Sequence, residues 1–187
     1  PLPPPALTGS LSLFTSRDGL WSLAAAQEKP SPPASGQQRY IYTGTGSCAA
    51  SNCHGSVMPR STPKIDIKQD EHTHWLKKDK HARAYEVLLK ERSVKMAQSL
   101  ALQDKPDKSN KCLTCHALAI PPELQGPFYQ VEDGVTCEVC HGPAEGWLGT
   151  HITRGYQASV QMGMYDIKNL VKRAEKCLSC HIGTEGK

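Results

Sequence analysis

The chain has 187 residues, of which 38% are hydrophobic and only two are phenylalanine, so its side chains offer little material for a core of this length. The formal net charge of +4 is mild, and the basic residues are interleaved with acidic ones rather than with aromatic ones, which argues against a nucleic-acid-binding protein. No apolar run approaches the ~20 residues of a membrane-spanning helix, so no transmembrane segment is expected.

The first segment, residues 1–36, is rich in Pro, Ser and Ala, with "PLPPPALTGS" at its start and "EKPSPPASG" at its end. This composition predicts an extended N-terminal arm that buries little apolar surface on itself. Such an arm would lie along its own domain or pack on another chain. Residues 37–187 have a different character and are predicted to form one domain.

Helical segments and loops alternate in this domain. A Gly/Ser-rich loop is followed by a predicted long helix from about Asp70 to Lys90, in which Trp75, Ala82 and Leu89 recur at helical spacing. A second helical piece covers "ERSVKMAQSLAL", "DKPDKSN" is a turn-rich break, and a last helix is expected from about Tyr165. Alternating strand patterns are scarce, so the sequence predicts a mainly α, loop-rich fold.

Eight cysteines fall in four close pairs, and a histidine directly follows each pair. Three of these motifs have the spacing C-x-x-C-H, the attachment pattern of c-type haem. Both thiols form thioethers with the haem vinyl groups, and the histidine supplies the proximal iron ligand. Zinc knuckles, disulfides and a thioredoxin-like site also use cysteine pairs, but none of them requires a histidine after every pair. The three motifs are Cys112–Cys115–His116, Cys137–Cys140–His141 and Cys177–Cys180–His181.

The remaining pair, in "CAASNCH", has four residues between its cysteines instead of two. The alternative to a haem site is a disulfide between Cys48 and Cys53. Two extra residues can bulge outward while both sulfurs still reach the vinyl groups, and the motif ends in Cys-His like the other three. The sequence therefore predicts a fourth haem site with His54 as the proximal ligand, and four haem c groups in all.

Four histidines lie outside the motifs, which matches the number of sixth coordination positions on four irons: His72, His74, His81 and His151. His74 and His81 are seven residues apart, so on one helix they would share a face and could serve neighbouring haems. His72 would point elsewhere, to another haem, a neighbouring subunit or solvent. His151 is expected to serve a haem other than that of His141. The methionine alternatives, which would raise the haem potential, are Met58, Met96, Met162 and Met164.

Four haems would also account for the composition. Their apolar faces would form much of the core that the side chains do not supply, and their propionates would bring the charge of the holoprotein to roughly zero or below.

Several stretches resemble the cytochrome c-554 family of multihaem c-type cytochromes: "SCAASNCHGS", "THWLKKDKHARAYEVL", "CLTCHAL", "DGVTCEVCHGPAEGWLGTHI" and "YDIKNLVKRAEKCLSCHIG". The resemblance implies a mainly helical electron carrier outside the cytoplasm, with closely packed haem pairs that are mostly bis-histidine ligated. It also implies that His81 and His151 are distal ligands. The four-residue spacer and the Pro-rich arm depart from the family pattern.

The favoured function is electron transfer between redox-protein partners through four closely spaced haems, without catalysis. A second hypothesis is a subunit of a polymeric extracellular haem filament, assembled through the arm or a shared histidine. A third is a reductase of a small nitrogen or sulfur compound at an open iron. Because haem c is attached outside the cytoplasm, the chain is expected to be exported to the periplasm, the cell surface or the medium.

Overall fold

The computed structural model describes residues 39–60 and 67–182. The predicted arm, residues 1–36, lies outside the described residues. Within them the fold is mainly helical, as the sequence predicts, and the β-pairing is one isolated parallel bridge between Tyr42 and Gln125. The α-helices are α1 (Glu71–Lys78), α2 (Glu91–Ser99), α3 (Asn110–His116), α4 (Cys137–His141), α5 (Leu148–Thr153), α6 (Tyr156–Gln161) and α7 (Leu170–His181).

The single helix predicted from Asp70 to Lys90 is wrong. Helix α1 ends at Lys78, the backbone of Asp79 is extended (φ −82°, ψ 131°), and two short 3-10 turns follow at Lys80–Arg83 and Glu86–Leu89. Asp79 caps the first of these turns, because its carboxylate accepts a hydrogen bond from the backbone N–H of His81. His74 and His81 therefore lie on separate elements rather than on one face of one helix.

The last helix begins at Leu170, five residues after the predicted start at Tyr165. The Asn169 side chain caps it by accepting hydrogen bonds from the N–H groups of Val171 and Lys172, at 3.0 and 3.2 Å. The second helical piece and the turn-rich break before α3 are confirmed, although α2 ends at Ser99.

The buried apolar side chains are few. One cluster joins Tyr85 and Leu88 to Leu113 and Ala117 of the α3 region. A second cluster contains Ala144, Trp147 and Met164. Many large apolar side chains of the described residues are instead exposed, including Leu170, Val171 and Ile182 on α7 and just after it. Within residues 39–60 and 67–182 the side chains thus form two small cores rather than one continuous interior.

Candidate haem-binding site

The three regular motifs share one local structure. Each is α-helical, and its histidine is the last helical residue: His116 ends α3, His141 ends α4, which consists of the motif alone, and His181 ends α7. Gly142 follows His141 with φ +79°, a backbone conformation that a residue with a side chain rarely adopts. One helical turn places the two cysteines and the histidine on neighbouring positions of one surface.

The first motif is built differently. Cys48 ends a 3-10 turn, Thr45–Cys48, and Ser51 to His54 form further turns rather than a helix. Gly55 closes the loop so tightly that a Cβ atom there would lie 1.8 Å from the Ala49 carbonyl oxygen. Cys48 and Cys53 are not joined by a disulfide in this structure, so the alternative to a haem site at this motif does not occur here.

Four histidines have their Nδ1 atom engaged by a group that can only accept a hydrogen bond. His54 donates to the Glu71 carboxylate at 2.9 Å, His81 to Asp79 at 3.0 Å and His116 to the Ala84 carbonyl at 2.9 Å. His151 donates to the Leu148 carbonyl. In each ring Nδ1 must carry the proton, which leaves the Nε2 lone pair for a metal. These rings have the tautomer that an iron ligand needs.

Two pairs of histidine rings from distant parts of the sequence lie close together. The ring centroids of His54 and His151 are 6.2 Å apart with an interplanar angle of 16°, and those of His81 and His181 are 6.1 Å apart at 75°. An imidazole nitrogen lies about 2 Å from a bound metal and the ring centroid about 1 Å behind it, so two rings on opposite sides of one iron are separated by about 6 Å. Both separations fit one iron held between two rings.

A family model described as cytochrome c554 and c-prime matches residues 47–142. This chain belongs to the cytochrome c554 family. The matched region contains the first three motifs, and the fourth lies beyond it. No curated protein and no solved structure matches the chain. Membership means that haem c is covalently bound and that the protein transfers electrons. Separately, no helix among the described residues is long and apolar enough to cross a membrane.

Motifs of this family member touch one another through their cysteines. The thiols of Cys48 and Cys137 share a hydrogen bond. This bond, and then burial, raises the pKa of Cys48. The same bond lowers the pKa of Cys137, although burial of that thiol acts in the opposite direction. Cys140 is close enough to Cys177 and Cys180 for their charges to contribute, after burial, to raising its pKa. The Cys180 thiol lies 3.8 Å from the Thr114 carbonyl oxygen of the second motif. The first motif therefore adjoins the third, the third adjoins the fourth, and the fourth adjoins the second.

The third motif and its surroundings contain the buried polar side-chain atoms that lack a partner. Among the described residues these are Thr136 Oγ1, just before α4, His141 Nδ1, at its end, and Trp147 Nε1, just before α5. The Trp147 ring contacts the rings of both His141 and His151, with centroid distances of 6.3 and 5.6 Å. Burial, then the nearby His54 and His151, lowers the pKa of His141 and keeps its ring neutral. A buried polar group without a partner is costly, so this region fits a haem whose polar substituents would meet these donors.

The remaining predicted ligands are not paired with a motif histidine in the described residues. His72 is half-buried against Trp75, and burial is the main cause that lowers its pKa. His74 is exposed on α1. Of the four methionine alternatives, Met164 is buried in the second apolar cluster, and Met58, Met96 and Met162 are exposed.

Sequence reasoning missed the acidic residues that hold the motifs. Glu71 and Asp79 orient two of the histidine rings. Glu138, inside the third motif and only 2% exposed, accepts hydrogen bonds from the N–H groups of Thr43, Gly44 and Ala144. Only the position of Asp79, two residues before His81, gave any hint in the sequence, because Asp side chains often bind backbone N–H groups two residues on.

Proposed function

We propose that the chain is a tetrahaem electron-transfer cytochrome in which each Cys-Cys-His motif binds one haem c. The proximal ligands would be His54, His116, His141 and His181. The observation that carries the proposal is that two pairs of histidines, far apart in the sequence of the one chain, have the ring separation expected across one iron. They support His151 as the distal ligand of the first haem and His81 as that of the fourth.

Bound haem c supplies a one-electron couple between ferric and ferrous iron. The protein's own contribution is to fix the ligands and to bring the motifs together. The cysteine contacts support a linear order in which the first, third, fourth and second sites follow one another. In that order the third and fourth sites are internal, and the first and second are the ends at which redox partners would deliver or accept electrons.

The proposal is tested by counting the haems and their reduction steps. Mass spectrometry of the intact holoprotein is expected to give the mass of the chain plus four haems. A spectroelectrochemical titration is expected to need several one-electron components. A count of three or fewer, with the first motif unmodified, would contradict the assignment of "CAASNCH" as a haem site.

A second candidate function is a haem filament made of many copies of the chain. Its support is that, among the described residues, His116 and His141 face no second histidine ring, whereas His74 is exposed on α1. A histidine from a neighbouring copy could complete such a site. Electron microscopy and light scattering of purified holoprotein test this, and a protein that stays monomeric at all concentrations would eliminate it.

The third candidate function, a reductase, also rests on the sites of His116 and His141, which face no second histidine ring among the described residues. If one iron kept an open position, a small nitrogen or sulfur compound could bind there. An absorption and EPR spectrum in which every haem is low-spin would argue against it.

Because haem c is attached outside the cytoplasm, all three functions place the chain among exported proteins. The division into an arm, 1–36, and a haem domain, 37–187, stays a prediction.

A further inference from the structure

The first motif is not α-helical, whereas the cysteines and histidine of each of the other three motifs lie on an α-helix. In the regular motifs the histidine ends an α-helix. His54 instead donates its backbone N–H to the Cys48 carbonyl at 3.2 Å, across the motif loop, and Cys53 donates to Ala50 at 2.8 Å. These turns close the loop but do not connect it to a longer element of secondary structure.

The start of α1 supplies that connection through three contacts. The backbone N–H of His72 donates to the His54 carbonyl at 2.9 Å. The Gln69 side-chain amide donates to the Asn52 carbonyl at 3.2 Å, within the lengthened spacer. The Glu71 carboxylate accepts from His54 Nδ1 at 2.9 Å. One contact orients the ring and two fix the backbone on either side of Cys53.

Glu71 is itself held in place. Its second carboxylate oxygen accepts a hydrogen bond from the Lys68 backbone N–H at 2.6 Å. The turn between them passes through Gln69, which has φ +61°, a conformation that costs energy in a residue other than glycine. The chain therefore maintains a strained turn that points the carboxylate at the His54 ring.

We propose that this segment, residues 68–72, is a brace that replaces the missing helix of the first motif, and that Glu71 is a positioning residue that lowers the potential of the first haem. A carboxylate on Nδ1 makes an imidazole more basic and favours the ferric state more than a neutral acceptor does. His116 provides the internal comparison, because its Nδ1 donates to the neutral Ala84 carbonyl. The inference rests on the proposed haem at the first motif.

The test compares the wild-type holoprotein with three variants. Glu71→Gln keeps the shape and an acceptor oxygen but removes the charge, and Glu71→Ala removes the acceptor. Glu91→Gln is the matched control, since it removes an equal charge from an exposed ion pair with Lys95. Haem content is measured first by mass spectrometry, and the reduction potentials are then measured by titration followed by EPR.

With Glu71→Gln we expect four haems and an upward shift of one component, the one that carries the EPR signal of the His54–His151 pair. Glu71→Ala is expected to shift the same component further and to broaden its signal, because the ring is no longer anchored. Loss of one haem in Glu71→Ala alone would also support the positioning role. Unchanged potentials and line shapes in both variants, as in Glu91→Gln, would overturn the proposal.

Two further outcomes are distinguishable. If Glu71→Gln yields no holoprotein, Gln69→Asn keeps the carboxylate and shortens the amide that reaches Asn52. The brace then predicts a broadened signal without a shift in potential, and a signal identical to the wild type would refute it. A wild-type protein with three haems would instead refute the proposed function at the first motif, before any variant is compared.

Discussion

Glu138 is expected to be one of the most important single side chains for the stability of this domain. Its side chain is buried inside the third motif, and its carboxylate accepts hydrogen bonds from the backbone N–H groups of Thr43, Gly44 and Ala144 at 2.9, 2.8 and 2.7 Å. Thr43 and Gly44 lead into the first motif. The carboxylate thus joins the segments that carry two different motifs.

Replacement of Glu138 by alanine leaves these donors without an acceptor. The donors of Gly44 and Ala144 are buried, and a buried donor without a partner costs about 1–3 kcal/mol, so the two together cost about 2–6 kcal/mol. Domains are typically stable by about 5–15 kcal/mol, so the loss is a large fraction of the total. Glu138→Gln keeps one acceptor oxygen and turns an amide N–H toward a donor, and we expect an intermediate loss.

The assay is equilibrium unfolding of the holoprotein in guanidinium chloride, followed by far-ultraviolet circular dichroism. Glu145→Ala is the matched control: its carboxylate lies in the next turn and accepts one exposed backbone hydrogen bond, from Ile41 at 2.8 Å. That variant is expected to lose less than about 1 kcal/mol. The reasoning is refuted if Glu138→Ala and Glu145→Ala unfold within about 0.5 kcal/mol of each other, the usual spread of surface substitutions.

The histidine pairs and the lengthened motif give three further predictions. The near-parallel rings of His54 and His151 are expected to give a rhombic low-spin EPR signal, and the near-perpendicular rings of His81 and His181 a strongly anisotropic one; a single uniform signal would contradict the pairing. His81→Ala should remove the anisotropic signal and create a high-spin or water-ligated haem, whereas His74→Ala should leave it intact in the monomer; equal spectra for both variants would count against His81 as a ligand. Alanine at both cysteines of the first motif should lower the intact mass by one haem, and an unchanged mass would exclude attachment there.

The cysteine pairs allowed the chemistry to be predicted because their spacing is set by covalent bonds to one rigid ring. A pattern of that kind is visible in any sequence, and it predicted the covalently bound haem c that membership of the matched family implies. The mainly helical class followed from the scarcity of alternating strand patterns. Helix ends were predicted less well, because they depend on single polar contacts. Asp79 follows the end of α1 and accepts a hydrogen bond from the His81 N–H, and Asn169 caps the start of α7.

The acidic residues could not be found from the sequence for a physical reason. Glu71 acts on a histidine 17 positions away, and Glu138 on an N–H group 94 positions away. Nothing in the periodicity of either segment distinguishes these two residues from an exposed glutamate such as Glu91. Their roles exist only after the chain has brought the motif loops together.

The contacts between motifs explain how a chain with so small a side-chain core can hold a defined shape. Ala144, Trp147 and Met164 form one small cluster, while Leu178, within the fourth motif, and Ile182, directly after it, are 44% and 74% exposed. Apolar surface left in water next to a haem-attachment motif is unfavourable unless something covers it. A haem attached at Cys177 and Cys180 would do so. The polypeptide would then need only to fix the motifs relative to one another, and buried or braced carboxylates such as Glu138 and Glu71 do this with few residues. The low hydrophobic content of the chain and the carboxylates that join its motifs are thus both consequences of a core made largely of haem.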